Sequence, residues 1–166
     1  MVLICYDGSP DAKAAIEQAG ELLDGHPATV LTVWEPFLEV LARTPAAFGM
    51  PAGIGNVDEI DNANRKAAEQ LAQEGADFAN HAGLNAQPRV CARVSSVANA
   101  ILGDADEVGA SAIVMGSRGL GGLSSLLVGS VSHAVIQHAD RAVIVVPSPQ
   151  VSRARGRKRH ASHTGT

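Results

Sequence analysis

Short apolar runs alternate with segments of helical period along all 166 residues of this chain. Val2 to Tyr6 is apolar and stops at Asp7-Gly8, and Ser9-Pro10-Asp11 then supplies an N-cap, a proline at the first helical position and an acid in the first turn. Ala12, Ala15, Ile16, Ala19, Leu22 and Leu23 mark one face of the helix that follows, and Gly25 stops it. Thr29 to Trp34 is β-branched and apolar, which predicts a second buried strand. From Glu35 to Gly55 the periodicity fails among Pro36, Pro45, Gly49, Pro51 and Gly53, predicting a long excursion with no regular element. Phe37, Leu38, Val40, Leu41, Phe48 and Met50 favour local packing there, and a lid, a partner surface and an excursion without a specific role all remain open.

After Asn56 a helix is expected, with Glu59 three residues on as in a capping box and Ile60, Ala67, Leu71, Phe78 and Ala82 on its core side. Arg89 to Val94 reads as a third strand, Ser95-Ser96 caps a helix through Val108, and Ala112 to Met115 is a fourth strand. A glycine-rich loop, a helix from Ser130 to Ala139 and a strand from Ala142 to Val146, stopped by Pro147, complete the pattern. Five strands and four helices in alternation, the strands apolar throughout, predict an α/β fold: a parallel sheet covered by helices on both faces, a three-layer α/β/α open sandwich. Such a sheet binds ligands at the carboxyl ends of its strands, where the strand order reverses. Asp7, Val33 and the glycine loop all fall at carboxyl ends.

Composition changes this picture in three places. Aromatic residues make up only 3% of the chain, so the core must be built from Ala, Val, Leu and Ile. No apolar run reaches the roughly 18 residues that a membrane span needs, and the chain opens without a basic leader, so a cytoplasmic protein is expected. Charge is split: residues 1–149 carry all 17 acids and a net −9, whereas residues 150–166 carry five bases and no acid. Those segments are read as one folded domain and a basic disordered tail. No nucleic-acid partner is expected beyond nonspecific contact by the tail, which lacks the aromatics that stack on bases. Cys5 and Cys91 have no CxxC spacing and are expected as buried reduced thiols, and no metal site is expected.

The candidate chemistry lies between Gly116 and Ser130, where the spacing is G-x2-G-x9-G-S. Gly116 and Gly119 lack the Cβ that would bar a close approach to a bulky anion, and Gly129-Ser130 open a helix whose free N–H groups carry partial positive charge. Ser130 and Ser132 add hydroxyl donors for phosphate oxygens, and Arg118 is the only cation of the segment. Valine at Gly116 is expected to block the phosphate path with little loss of fold. Asp7 is placed to bond a ribose hydroxyl or to help hold a hydrated Mg²⁺ beside phosphates, and Val33 to wall off a base. The loop holds no lysine, which excludes a Walker-type phosphate loop, and the first turn lacks a dinucleotide fingerprint. No catalytic residue is assigned, because neither a nucleophile elbow nor a pair of carboxylates marks the crevice.

Cys5-Tyr6-Asp7-Gly8-Ser9, Leu31-Thr32-Val33, Ile113 to Gly119 with Gly129 to Ser132, and Val143 to Pro147 together resemble the nucleotide-binding branch of the universal stress protein family. The resemblance implies a sheet of order 3-2-1-4-5, adenine nucleotide alpha hydrolase-like, and a homodimer through the strand Ala142 to Val146. It implies that Asp7 and Val33 flank the adenosine, Met115 and Gly116 meet the ribose, and Arg118, Gly119, Gly129, Ser130, Val131 and Ser132 cradle the phosphates, with Cys5 and Tyr6 also in the nucleotide-binding set. The implied ligand is ATP, or ADP, AMP or cyclic AMP, with Mg²⁺ accompanying ATP. The implied role is regulatory nucleotide binding in a stress response. Slow ATP hydrolysis, self-phosphorylation and an interaction module with a vestigial site are the alternatives.

Overall fold

A computed structural model describes residues 1–43, 56–93, 95–120, 128–147 and 152–153. Its strands β1 (Val2–Cys5), β2 (Pro27–Trp34), β3 (Asn85–Ala92), β4 (Ala112–Gly116) and β5 (Ala142–Val146) are joined by α1 (Pro10–Leu22), α2 (Phe37–Ala42), α3 (Val57–His81), α4 (Val97–Glu107) and α5 (Ser130–His138). The sheet is parallel throughout, in the order β3-β2-β1-β4-β5. Ile4 stands opposite Val30 on one side and Val114 on the other, so the strand order turns around at β1. This is the expected architecture, with the expected switch point between β1 and β4.

Alternation along β1 shows why both layers are needed. Val2, Ile4 and Tyr6 enter a core with α1 and α3, while Leu3 and Cys5 face a second core with α4 and α5. Alanine fills the helix side of both: Ala12, Ala15, Ala19, Ala76 and Ala79 in the first, Ala98 and Ala105 in the second. Small side chains let the helices lie close to the sheet, where burial of apolar surface is worth about 25 cal/mol per Å². Ser9 caps α1 as expected, its Oγ accepting from Ala12 N at 3.2 Å.

Several expectations are corrected. The excursion after Glu35 is not wholly irregular, because α2 occupies Phe37–Ala42; Phe37 N donates to Asp61 Oδ1 on α3 at 2.6 Å. Among the described residues of the excursion no residue of α2 is buried and Leu38 and Val40 are exposed, while Phe48 and Met50 lie outside the described residues. The core stripe of α3 is Ala68, Ala72, Gly75, Ala76 and Ala79, with Leu71 and Phe78 beside it, whereas Ala67 is exposed. The alanine-rich helix offers several candidate stripes, and burial of Gly75 against Tyr6 selects this one. Asn56 makes no capping bond to the backbone and instead donates to the Glu59 side chain at 2.8 Å. β3 begins at Asn85 rather than Arg89: Pro88 sits inside it, which an edge strand tolerates because one side of its backbone needs no partner. Leu22 is exposed, Val94 lies outside the described residues, and so does the basic tail apart from residues 152–153.

Candidate functional site

The carboxyl ends of β2, β1 and β4 open into one cavity of about 600 Å³. Cys5, Tyr6, Asp7, Val33, Met115, Gly116, Arg118, Gly119, Gly129, Ser130, Val131 and Ser132 all line it, so every residue singled out from the sequence converges there. Ala12, Leu31, Glu35, Val97, Ile101 and Leu120 complete the lining and were not singled out.

Asp7 is the tie between the first loop and the glycine loop. Its Oδ1 accepts from Ser9 N at 3.0 Å and its Oδ2 from Leu120 N at 3.2 Å. Gly119 has to be glycine for this approach, since a Cβ there would stand 2.5 Å from Asp7 Oδ2. Charge-assisted bonds of this kind are roughly twice as strong as neutral ones, and each carboxylate oxygen keeps a further lone pair for a ligand.

Gly116 serves a different neighbour from the one its motif suggests. A Cβ at this position would lie 2.7 Å from Asp11 C, 2.8 Å from Asp11 Cβ and 2.9 Å from Ala12 N. The glycine is required by the backbone of α1, so valine here strikes the fold itself, and the expectation of little structural loss is withdrawn. The contact also brings in Asp11 and Ser117, which the sequence did not assign to the site. Ser117 donates from its buried Oγ to Asp11 Oδ2 at 2.7 Å, and Arg118 Nε lies 3.7 Å from the same oxygen. Asp11 reads in sequence as a first-turn acid, yet it is buried; only the β4–α1 contact shows why.

The first turn of α5 is clamped to the end of β4. Gly129 N donates to Ser117 O at 2.7 Å, and the buried Ser132 Oγ lies 3.2 Å from Gly116 O and 3.0 Å from Ser117 O. The Ser132 hydroxyl is thereby committed to carbonyls of this chain, which corrects its assignment as a phosphate donor; Ser130 is exposed at the same helix end. No side chain caps α5, whose N-cap is Gly129. Its leading N–H groups therefore face the cavity mouth without a side-chain acceptor, at the positive end of the helix dipole. Beside them Arg118 Nε is buried with no hydrogen-bond partner. A buried unpartnered donor costs about 1–3 kcal/mol, which an acceptor in the cavity would relieve.

The other end of the cavity is apolar, walled by Cys5, Leu31, Val33, Val97 and Ile101. Burial pushes the Cys5 thiol up to about 12, with the nearby Cys91 and Asp7 adding to it; Cys91 rises to about 11 for the same leading reason. Both cysteines are free and only partly buried. Tyr6 contributes no hydroxyl to the cavity, because its ring packs against α3 and its OH donates to Glu74 Oε1 at 2.7 Å. Burial and that bond raise the Tyr6 phenol above its ordinary range. His133 is exposed on α5 and lines nothing here. Among the described residues, no group of three His, Cys, Asp or Glu side chains is placed to hold a metal ion, and no helix is long and apolar enough to cross a membrane.

Comparison with known proteins agrees with this geometry. The profile of the Universal stress protein family matches residues 1–147. Universal stress protein YxiE of Bacillus subtilis (strain 168) is 31% identical over 148 residues, spanning 87% of this chain and 97% of the relative. Among solved structures, universal stress protein UspA from Lactobacillus plantarum superposes with a TM-score of 0.67 at 22% identity, over 87% of this chain and 95% of that one. The universal stress protein from Archaeoglobus fulgidus in complex with dAMP gives 0.57 at 22% identity, over 87% and 95%. At that identity the structural likeness is one of fold, and family membership rests on the matched profile and the bacillar relative. A parallel 3-2-1-4-5 sheet, a glycine loop locked to α1 and an uncapped α5 are thus the features of a chain that belongs to the universal stress protein family.

Proposed function

We propose that this protein binds an adenine nucleotide in the cavity, with the phosphates at the N-terminus of α5 and the base against the apolar wall at Val33. The observation that carries the reading is the meeting of the uncapped α5 terminus with the buried, unpartnered Arg118 Nε at one end of a single cavity. The helix end has no side-chain cap and Arg118 Nε, 3.7 Å from Asp11 Oδ2, makes no hydrogen bond, so a phosphate oxygen can serve both. The Archaeoglobus fulgidus relative was solved with dAMP, which favours the same ligand class here. ATP fits the donors best, because a longer phosphate chain reaches both Arg118 and α5. When bound with ATP, Mg²⁺ would neutralise phosphate charge, and Asp7 is the carboxylate placed to hold its hydration shell.

The role we assign is regulatory holding of nucleotide. Support comes from the commitments already described: Ser132 is bonded to carbonyls, Asp7 to backbone N–H groups, and His133 is exposed away from the cavity. We further propose that β5, an edge strand with an unpaired side in the monomer, joins two copies of the chain.

Calorimetric titration with ATP, ADP, AMP and cyclic AMP tests the nucleotide reading. Binding of at least one is expected, weakened about tenfold in Arg118→Gln through loss of a charge-assisted bond. Absence of binding by all four at millimolar concentration would overturn it.

A further inference from the structure

The fold delivers the basic end of the chain to the phosphate side of the cavity. β5 runs parallel to β4, so its last residue, Val146, stands opposite Gly116. The carbonyl of Val146 accepts from Ser117 N at 2.8 Å, and Ser117 O accepts in turn from Gly129 N at 2.7 Å. Two hydrogen bonds and one residue, roughly 10 Å in all, therefore separate the point where the chain leaves the sheet from the N-terminus of α5. Arg155, Arg157, Lys158 and Arg159 follow, the first of them nine residues after Val146. At up to about 3.3 Å per residue that length reaches as far as roughly 30 Å, well beyond the distance to be covered. Residues 154–166 lie outside the described residues, so it is their charge and their point of attachment that count.

The phosphate end of the cavity is itself short of positive charge. Arg118 is the one cation among the described lining residues; Asp7 lines the cavity with it, and Asp11 Oδ2 lies 3.7 Å from Arg118 Nε. One positive charge thus stands against two negative ones, and the free N–H groups of α5 return only about half a charge. At the other end, Glu35 is already paired with Arg93 and Arg43. A nucleoside monophosphate carries about two negative charges at neutral pH and each further phosphate adds about one. A single phosphate is served by α5 and Arg118, whereas a longer chain meets a deficit. Residues 150–166, with five bases and no acid, have the opposite balance.

We propose that Arg155, Arg157, Lys158 and Arg159 complete the site by pairing with the phosphates beyond the one at α5, so that the end of the chain makes the protein select triphosphate over monophosphate. The inference rests on the nucleotide reading above. A cation about 7 Å from a phosphate charge raises affinity about two- to threefold even at the dielectric of water, so two or three of the four amount to about tenfold. Attachment beside Ser117 raises their effective concentration at the cavity to about the millimolar range, where contacts too weak to hold separate molecules contribute. Residues 150–166 contain no Phe, Trp or Tyr, so the run offers charge without a stacking surface and recognises phosphate rather than base.

The test is calorimetric titration of the full chain with ATP and with AMP, at low ionic strength and without added Mg²⁺. Wild type is expected to bind ATP at least about tenfold more tightly than AMP. The combined variant Arg155→Gln, Arg157→Gln, Lys158→Gln and Arg159→Gln should lose about tenfold for ATP and less than about threefold for AMP. Arg155→Lys, Arg157→Lys and Arg159→Lys together keep every charge and should keep the preference for ATP. Raising salt from about 0.05 to about 0.5 M shortens the screening length to below about 5 Å and should bring the wild-type ratio down toward that of the glutamine variant. A glutamine variant with the wild-type ratio, equal losses for both ligands, a lysine variant without the preference, or a wild type that binds ATP only once Mg²⁺ is added would each overturn the inference and leave the nucleotide reading in place. A run that serves only to hold nucleic acid gives the first of these results. Failure of every nucleotide to bind wild type, with or without Mg²⁺, overturns the nucleotide reading instead.

Discussion

Replacing Gly116 by alanine separates the two roles that a loop glycine can have. The added methyl would meet Asp11 C, Asp11 Cβ and Ala12 N at 2.7, 2.8 and 2.9 Å, all backbone or Cβ atoms of α1 that no rotamer change can move aside. Ordinary carbon contacts lie near 3.5–4.0 Å, so α1 must retreat by several tenths of an ångström along its first turn. That shift stretches the 2.7 Å bond from Ser117 Oγ to Asp11 Oδ2, which is buried and charge-assisted. Overpacking by one methyl costs about 1–3 kcal/mol, and weakening the bond adds about 1 kcal/mol more. Urea unfolding should show Gly116→Ala destabilised by about 2–4 kcal/mol, equivalent to a fall of roughly 4–16 °C in Tm for a chain of this size. Gly129→Ala is the internal comparison: its Cβ would lie 3.4 Å from Ser117 O and 3.5 Å from Arg118 Cα, and a loss below about 1 kcal/mol is expected. Gly116→Ala unfolding within about 0.5 kcal/mol of wild type, or Gly129→Ala falling further than Gly116→Ala, would refute the reasoning.

The raised thiols predict an alkaline loss of stability. Folding holds the protons of Cys5 and Cys91 up to about 12 and about 11, whereas an unfolded thiol releases its proton near 8.5. Between those values the unfolded chain binds fewer protons, so stability is intact below about pH 8.5 and falls as pH rises through the window. Urea midpoints measured from pH 7.5 to 10.5 should drop less steeply in Cys5→Ala than in wild type, and parallel slopes would count against the burial assigned to Cys5. Light scattering at micromolar concentration should give twice the 17.0 kDa chain mass, and a monomer mass would remove β5 as a joining edge.

What the sequence discloses depends on whether a position answers to its own element or to a distant one. The Ser9-Pro10-Asp11 start of α1 is local chemistry, and the structure has the cap where the residues place it. The apolar runs mark all five strands, although Pro27 to Ala28 and Asn85 to Pro88 are too polar or too proline-bearing to read as strand before β2 and β3 pair along Pro27↔Asn85 to Trp34↔Ala92. Asp11 and Ser117 were hidden because they are 106 residues apart and acquire meaning only when β4 lands beside α1. Glu35 was legible by the signal that drew attention to Asp7, a carboxylate just past the carboxyl end of an apolar strand, but the prolines after it directed the reading toward the loop. The phase of α3 was legible only in part: Leu71, Phe78 and Ala82 do pack on the core, but with alanines at 63, 67, 68, 72, 76 and 79 hydrophobic periodicity alone offers several stripes, and packing against Tyr6 makes the choice.

The spacing of the glycine motif then has a physical cause beyond ligand approach. Gly116 is set by the backbone of α1, and Gly119 by the carboxylate of Asp7, two loops that both follow β1. Gly129 returns the chain to Ser117 O, so that Ser132 can bond the same carbonyl from one turn further along α5. Two of the three glycines thus answer to neighbours within the protein, and together they fix the end of β4 against β1, α1 and α5. It follows that, on the proposed reading, a phosphate would meet α5 N–H groups whose helix end is already fixed by the bonds from Gly129 N and Ser132 Oγ to Ser117 O. A site organised in this way would gain affinity from low reorganisation rather than from many charges, which is how the proposed phosphate cradle can work with one cation in the segment from Gly116 to Ser130.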